Sequence, residues 1–232
     1  MIEEPPILSI NGRMKRPSKS QIEAFHGVPT GFVVDALFGS GALNRMIQPL
    51  GEGRDLKNSV AGPALTANCG PADILATLAA LKFIRKGDVV VSAFAAHQGC
   101  AAAGDRVTGM MKNCGAAGFV TDGPVRDYAG IVEVGLPVWC TGLTPASPYS
   151  SGLGSVGFPI QIGDQKVETG DMVIADRDGV VVVPFERIDE TLAGLERVKE
   201  AEQELDARVA DGLKIPDSVA ELLGSDKTRV HS

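Results

Sequence analysis

Residues 88–127 read DVVVSAFAAHQGCAAAGDRVTGMMKNCGAAGFVTDGPVRD, and the order of elements in this stretch decides the fold. Residues 88–94 (Asp-Val-Val-Val-Ser-Ala-Phe) form an apolar, β-branched run of the kind that makes a buried strand rather than an exposed one. A turn-rich segment leads to Gly104. From Val107 onward Met110, Met111 and Cys114 fall at helical spacing, and Gly115 follows as a C′ residue. Residues 118–121 read as the next strand, and Gly123-Pro124 is a turn that throws out Arg126 and Asp127 at its end. Two carboxylates, Asp105 and Asp127, and the guanidinium of Arg126 thus stand at the ends of one βα unit.

Outward from this unit the alternation continues. Residues 59–68 read as a strand, and residues 72–85, with Ile74, Leu75, Leu78, Leu81 and Ile84, as an amphipathic helix ending at Gly87. Upstream, residues 21–25 open a helix that resumes over 32–37 after a break at 27–30. Downstream, residues 144–179 are rich in Gly, Pro and short β-runs, which predicts a small, turn-dense sheet closed by a buried strand over 180–184. The pattern is that of an α/β sandwich with mixed strands. Residues 186–210 read as a long C-terminal helix ended by Gly212, its apolar face traced by Ile188, Leu192, Leu195, Val198 and Leu205. Residues 1–20 read as an N-terminal arm that docks elsewhere, 21–212 as a single domain, and 213–232 as a tail.

With 232 residues the chain is long enough for one substantial domain, and its composition is that of a soluble globular protein. A net charge of −7 argues against a nucleic-acid-binding surface and against association with anionic lipid, so neither nucleic acid nor membrane is an expected partner. Cys69, Cys100, Cys114 and Cys140 are scattered without CxxC spacing, which disfavours a zinc site or a disulfide framework and fits a reducing cytoplasm. The opening residues lack a basic region followed by an apolar core, so no signal peptide is expected, and no apolar run approaches the length of a membrane span.

The chemistry concentrates where the opening stretch ends. Asp105 and the amides of Arg106 and Val107 fall at a helix N-terminus, whose free N–H groups and positive dipole bind carboxylates or phosphates. Two carboxylates suit a hard divalent cation that keeps several waters. Arg126 beside them can pair with a substrate carboxylate or a developing enolate oxygen. The alternative is that Asp105 merely caps its helix while Arg126 and Asp127 form a surface pair. His97, in the loop before Gly104, is a candidate for substrate binding or proton transfer; the alternative is a loop histidine with no chemical role. Asp35, Asp171 and Asp178 read as turn and cap residues, and Tyr128 and Trp139 as packing residues.

The order Gly104-Asp105, then a Gly-rich segment ending Asp122-Gly123-Pro124-Val125-Arg126-Asp127, resembles the RraA-like family, which includes the class II 4-hydroxy-4-methyl-2-oxoglutarate and 4-carboxy-4-hydroxy-2-oxoadipate aldolases. Matching short segments recur in the same order: Gly27-Val28-Pro29-Thr30, Ala61-Gly62-Pro63-Ala64-Leu65-Thr66, Lys86-Gly87-Asp88, Gly135-Leu136-Pro137-Val138, Gly170-Asp171 and Ala175-Asp176-Arg177-Asp178-Gly179-Val180. This resemblance implies a swivelling β/β/α-type fold. It also implies that Asp127 holds a metal, Mg2+ or Mn2+, directly or through water, and that Arg126 contacts the substrate and steadies an enolate. Asp105 would position a catalytic water, and the amides of Arg106 and Val107 would take a pyruvate carboxylate. A glutamate on the C-terminal helix of a neighbouring subunit would complete the site, and Glu200 best matches that position. The family further implies homotrimers or hexamers. Three departures stand out: Gly130 lies three positions after Asp127, where aldolase members often carry an acid, residues 32–39 (Phe-Val-Val-Asp-Ala-Leu-Phe-Gly) do not reproduce a His-Glu-Ala-x-Gly-Arg segment, and the residues after Arg106 are not the leucines the resemblance would imply.

The expected activity is a metal-dependent carbon–carbon lyase acting on a 2-oxo acid through a pyruvate enolate, with oxaloacetate decarboxylation as a side activity. Lysine Schiff-base chemistry is disfavoured, since no lysine lies between Gly87 and the helix carrying Lys112. The alternative is a non-catalytic regulator that binds a ribonuclease, as some RraA-like proteins do. A methyltransferase finds no Gly-rich nucleotide loop opening a helix after the first strand.

Overall fold

The computed structural model describes residues 4–231. Its elements are, in chain order, β1 (Leu8–Ile10), α1 (Lys19–Ala24), α2 (Thr30–Ala36), β2 (Gln48–Pro49), β3 (Val60–Asn68), α3 (Leu75–Ala80), β4 (Val89–Ala93), α4 (Asp105–Asn113), β5 (Gly118–Thr121), α5 (Tyr128–Val134), β6 (Val138–Cys140), β7 (Gly154–Val156), β8 (Ile160–Ile162), β9 (Gln165–Val167), β10 (Met172–Ala175), β11 (Val180–Val183), α6 (Ile188–Ala210) and α7 (Asp217–Leu223). The chain divides into two compact units, 1–195 and 196–232.

In the first unit β3, β4, β5 and β6 run parallel, within a mixed sheet of order β1-β7-β3-β4-β5-β6-β2. The first half of β3 also carries β10 antiparallel, with Met172 opposite Pro63 and Ala175 opposite Val60, and β11 pairs outside β10. Every residue of β4 is buried, because its two faces meet different layers. Val89, Val91 and Ala93 pack with Trp139 and with Ile160, Val173 and Val182 of the strand layer, while Val90 packs with Val107, Met111, Phe119 and Ile131 on the helical side. The period of two along a strand thus explains why residues 89–93 are small or apolar throughout rather than alternating with exposed polar positions. These layers, strand on strand on helix, are the β/β/α arrangement that the family resemblance implies.

Three local differences from the sequence reading have physical causes. The helix expected over 72–85 is shorter, α3 followed by a 3-10 turn at Leu81–Phe83. At its start Ala72 has φ +62°, and the Asp73 carboxylate accepts the N–H groups of Leu75, Ser151 and Gly152 at 2.7–2.8 Å, so this acid serves a tertiary tie instead of a helical turn. At its end the Asp88 carboxylate accepts the Arg85 N–H and holds the chain in a turn before β4. The supposed arm runs along the sheet: Leu8–Ile10 pairs parallel with β7, and Arg16 forms an ion pair with Asp88. Of the small sheet expected over 144–179, only β8 and β9 stand apart as a hairpin, since β7 and β10 join the main sheet.

The second unit comprises the distal part of α6, a reversal at Gly212 (φ +96°) and α7, a helix within the 213–232 segment expected as a tail. Arg208 bridges Asp217 at 2.6 Å within it. Leu205, Val209, Ile215, Val219, Leu222 and Leu223 are exposed. Among the described residues no helix is long and apolar enough to cross a membrane.

Candidate active site

The C-terminal ends of β4 and β5 deliver two loops that feed α4 and α5, and of the predicted residues Asp105, Arg106, Val107, Arg126 and Asp127 meet between those helices. Gly104, Asp105, Arg106, Val107, Arg126 and Asp127 line one open cleft of about 280 Å3. Gly104 is the N-cap of α4 in an extended conformation and offers no capping side chain. A Cβ there would lie 2.5 Å from Asp127 Oδ2 and 3.1 Å from Arg126 Cγ, so glycine is what lets the two loops close on each other.

At the head of α4, Asp105 Oδ1 accepts the Arg106 N–H at 2.6 Å. The Val107 N–H has no acceptor among the described residues, leaving it free to receive an anion at the positive end of the helix. Across the cleft, Arg126 is held at three points. Its backbone N–H donates to Ala103 O at 3.0 Å, its Nη1 to Ser147 Oγ at 2.6 Å, and its Nε lies 3.3 Å from Asp127 Oδ2. Asp127 itself adopts a left-handed conformation, φ +61° and ψ +47°, at the head of α5. For a non-glycine residue this region costs about 1–2 kcal/mol, though aspartate tolerates it better than most. Held strain of this kind is common where a side chain must be aimed.

Gly130 acquires a meaning that its place in the sequence did not show. A Cβ at this position would sit 2.7 Å from Asp105 Cβ and 2.8 Å from its Oδ2. The Asp105 side chain therefore lies directly against the bare backbone of α5. An acid at 130, as in many aldolase members, would have to displace it.

Two residues with a part in the site escaped the sequence reading. Ser147 orients Arg126, but a serine in a Pro-rich loop carries no signal of that. Asp122 sits inside the opening stretch, buried; its carboxylate accepts the N–H of Phe94 at 2.5 Å and of Ala96 at 2.8 Å. This tie holds the loop after β4, in which Ala95 and Ala96 both have positive φ. His97, in the same loop, does not line the cleft; its ring lies edge-on to Phe94 with centroids 5.7 Å apart. Glu200 is exposed on α6 within the second unit, and Glu202 is half-buried there.

Among the described residues no group of three His, Cys, Asp or Glu side chains gathers tightly enough to enclose a metal. The oxygen donors of the cleft, Asp105 and Asp127, fit a hard cation that keeps most of its water, and not a thiolate- or imidazole-bound metal. Burial pushes up the thiols of Cys69, Cys100 and Cys140, the last to about 11, which suits core residues rather than nucleophiles.

A sequence model of the family described as RraA-like, Aldolase/RraA, matches residues 30–182. The chain belongs to this family. The match runs from α2 to β11 and so contains both RraA-like loops of the cleft, while α6 with Glu200 lies beyond it. A relative from Halalkalibacterium halodurans, named "Putative 4-hydroxy-4-methyl-2-oxoglutarate aldolase", is 38% identical over 163 residues, 70% of this chain and 76% of the relative. The crystal structure of Streptomyces coelicolor RraAS2, described as an unusual member of the RNase ES inhibitor RraA protein family, superposes with a TM-score of 0.72 at 28% identity, covering 83% of this chain and all of that one (100%). An uncharacterized protein from Pseudomonas syringae pv. tomato shares the fold, with a TM-score of 0.76 at 23% identity over 89% of this chain and 95% of its own.

Proposed function

We propose that this RraA-like protein is a divalent-metal-dependent carbon–carbon lyase that cleaves 4-hydroxy-4-methyl-2-oxoglutarate or a closely related 2-oxo acid through a pyruvate enolate. The observation that carries the reading is the convergence of Arg126, Asp127 and the first turn of α4 on one cleft. A ribonuclease-binding surface has no need of it.

The substrate C1 carboxylate fits the head of α4, where the Val107 N–H is free and the Arg106 N–H can exchange its own Asp105 for the ligand. Arg126, already fixed by Ser147, donates toward the 2-oxo oxygen, where negative charge grows as the bond breaks. The Asp105 carboxylate takes the proton of the 4-hydroxyl through a water it holds; the C3–C4 bond then breaks, its electron pair passing to C3 and the 2-oxo oxygen while C4 becomes a carbonyl. Return of that proton through the water to C3 releases pyruvate. Asp127, with Asp105 near it, would hold Mg2+ or Mn2+ among several waters. The cation supplies positive charge that lowers the cost of forming an enolate. Oxaloacetate loses carbon dioxide through the same enolate and needs no base for a hydroxyl, so decarboxylation accompanies the lyase activity. Glu200 from a neighbouring subunit of a trimer or hexamer is the proposed further group at the water, with Glu202 and Glu204 as its neighbours on the helix.

The test is pyruvate release from 4-hydroxy-4-methyl-2-oxoglutarate and from oxaloacetate, with and without magnesium or manganese. Activity should require the metal, and Asp127→Ala should lower it by about a hundredfold or more. Metal-independent turnover, or full activity in the variant, contradicts the proposal. Likeness to an RNase inhibitor family favours a second reading, a protein that binds a ribonuclease. Tight capture of a ribonuclease together with no pyruvate release from either substrate would put that reading first.

A further inference from the structure

The opposite end of the parallel sheet carries a second cleft, of about 1000 Å3, at the N-terminal ends of β3, β4, β5 and β6. Its charge runs against that of the chain. The protein has a net charge of −7, yet Lys19, Lys57 and Lys86 line this cleft against a single carboxylate, Glu23. None of the three lysines forms an ion pair with any described residue. The framework around them is fixed. Arg16 pairs with the buried Asp88 and donates to Lys86 O at 3.1 Å, which straps the N-terminal segment across the start of β4. The remaining wall is mainly apolar, with Ile22, Val60 and Pro137, and carries His26 and Ser59 as its further polar side chains.

We propose that this cleft binds a phosphate-bearing organic anion of nucleotide size. A single exposed ion pair is weak, so three unpaired lysines lining one cleft act together only on a ligand with several neighbouring negative charges. A phosphate chain has that charge density, and ammonium groups bind it as point charges without needing a planar partner. The volume stands at the upper end of small-ligand pockets, about 300–1,000 Å3, which leaves room for an organic body against the apolar wall. The site is distinct from the candidate active cleft, which lies at the C-terminal ends of the same strands. Nearly half of its wall, from Arg16 to Gly27, precedes residue 30, where the family match begins.

Isothermal titration of the full chain with ATP, in EDTA to exclude metal bridging, tests this. ATP should bind one per chain and weaken as salt is raised, and inorganic tripolyphosphate should bind more weakly. The exposed double variant Lys57→Ala/Lys86→Ala should weaken ATP binding by about tenfold or more, as should Lys19→Glu, whereas Asp127→Ala should leave it unchanged. No binding, or binding indifferent to the lysine variants, would overturn the proposal. So would loss of binding in Arg126→Ala, which would place the anion in the other cleft. Equal affinity for tripolyphosphate would overturn the organic half of the assignment, and a changed oligomeric state in the lysine variants without a change in ATP affinity would make this face a contact between copies of the chain.

Discussion

The two ends of the parallel sheet hold charge in opposite ways. At the C-terminal ends of β4 and β5 the charged groups are few, close and aimed: Arg126 is fixed by Ser147 and Asp127, Asp105 lies on Gly130, and Asp127 sits in a left-handed conformation. At the N-terminal ends one ion pair, Arg16 with Asp88, anchors the floor, and the lysines around it are exposed and unpaired. The difference is between a site preorganised for charge that develops during a reaction and a rim that attracts charge already present. Close packing is what gives the first its precision, and it makes that end sensitive to single atoms.

Among substitutions that leave every charged group in place, the largest effect should therefore come from one methyl group. Gly104→Ala is compatible with the local backbone, φ −143° and ψ −170°, but places its Cβ 2.5 Å from Asp127 Oδ2. Displacing the carboxylate should cost about a hundredfold in kcat/KM for pyruvate release, with the far-UV spectrum unchanged. Wild-type activity in this variant would mean that the position of Asp127 is not critical.

At the other end the comparable lesion is one of stability. Arg16→Ala leaves the buried Asp88 without its cation and should cost about 2 kcal/mol in urea denaturation. Desolvation pushes the Asp88 carboxyl above its ordinary value, outweighing the Arg85 N–H and the Arg16 guanidinium. The folded state therefore binds that proton more tightly than the unfolded state. Its contribution falls as pH rises from the ordinary carboxylate value through the folded pKa, and is level above it. Removing Arg16 should raise the folded pKa further and widen that fall; superimposable pH profiles would show that Arg16 does not stabilise the charge. Pyruvate release by the folded fraction should stay the same.

Gly130→Ala separates the two kinds of effect at one position. Alanine favours a helix over glycine by about 1 kcal/mol, yet the new Cβ would crowd Asp105 at 2.7 Å. Activity should fall by about tenfold while the melting temperature fails to rise. A more stable and fully active variant would remove Asp105 from the account. The smallest effect is expected from Ser147→Ala, which frees one end of Arg126. It should raise KM by a fewfold, about 1 kcal/mol or less, since Asp127 and the Ala103 carbonyl still hold the arginine.

What the sequence made legible was periodic or local. Residues 89–93 announce a two-sided strand through their β-branched run, and Gly104-Asp105 with Arg126-Asp127 announce two loop ends that the sheet brings together. Residues whose role is to cross-link distant segments gave no such sign. Asp73 looked like part of a helix because its partners, Ser151 and Gly152, are nearly eighty positions away. Ser147 is silent for the same reason, and Gly130, a missing acid by its place in the sequence, is in the fold the space that Asp105 occupies. The strand at Leu8–Ile10 was hidden by prolines and charges that also suit a free arm. The lysine rim was likewise illegible, since Lys19, Lys57 and Lys86 come from three separate segments.

A crystal of the full chain soaked with pyruvate and magnesium tests the central claim most directly. The account predicts the pyruvate carboxylate on the Val107 N–H at the head of α4, its keto oxygen toward Arg126, and the cation beside Asp127. Pyruvate bound elsewhere, or a cation that makes no contact with Asp127 either directly or through water, would contradict it.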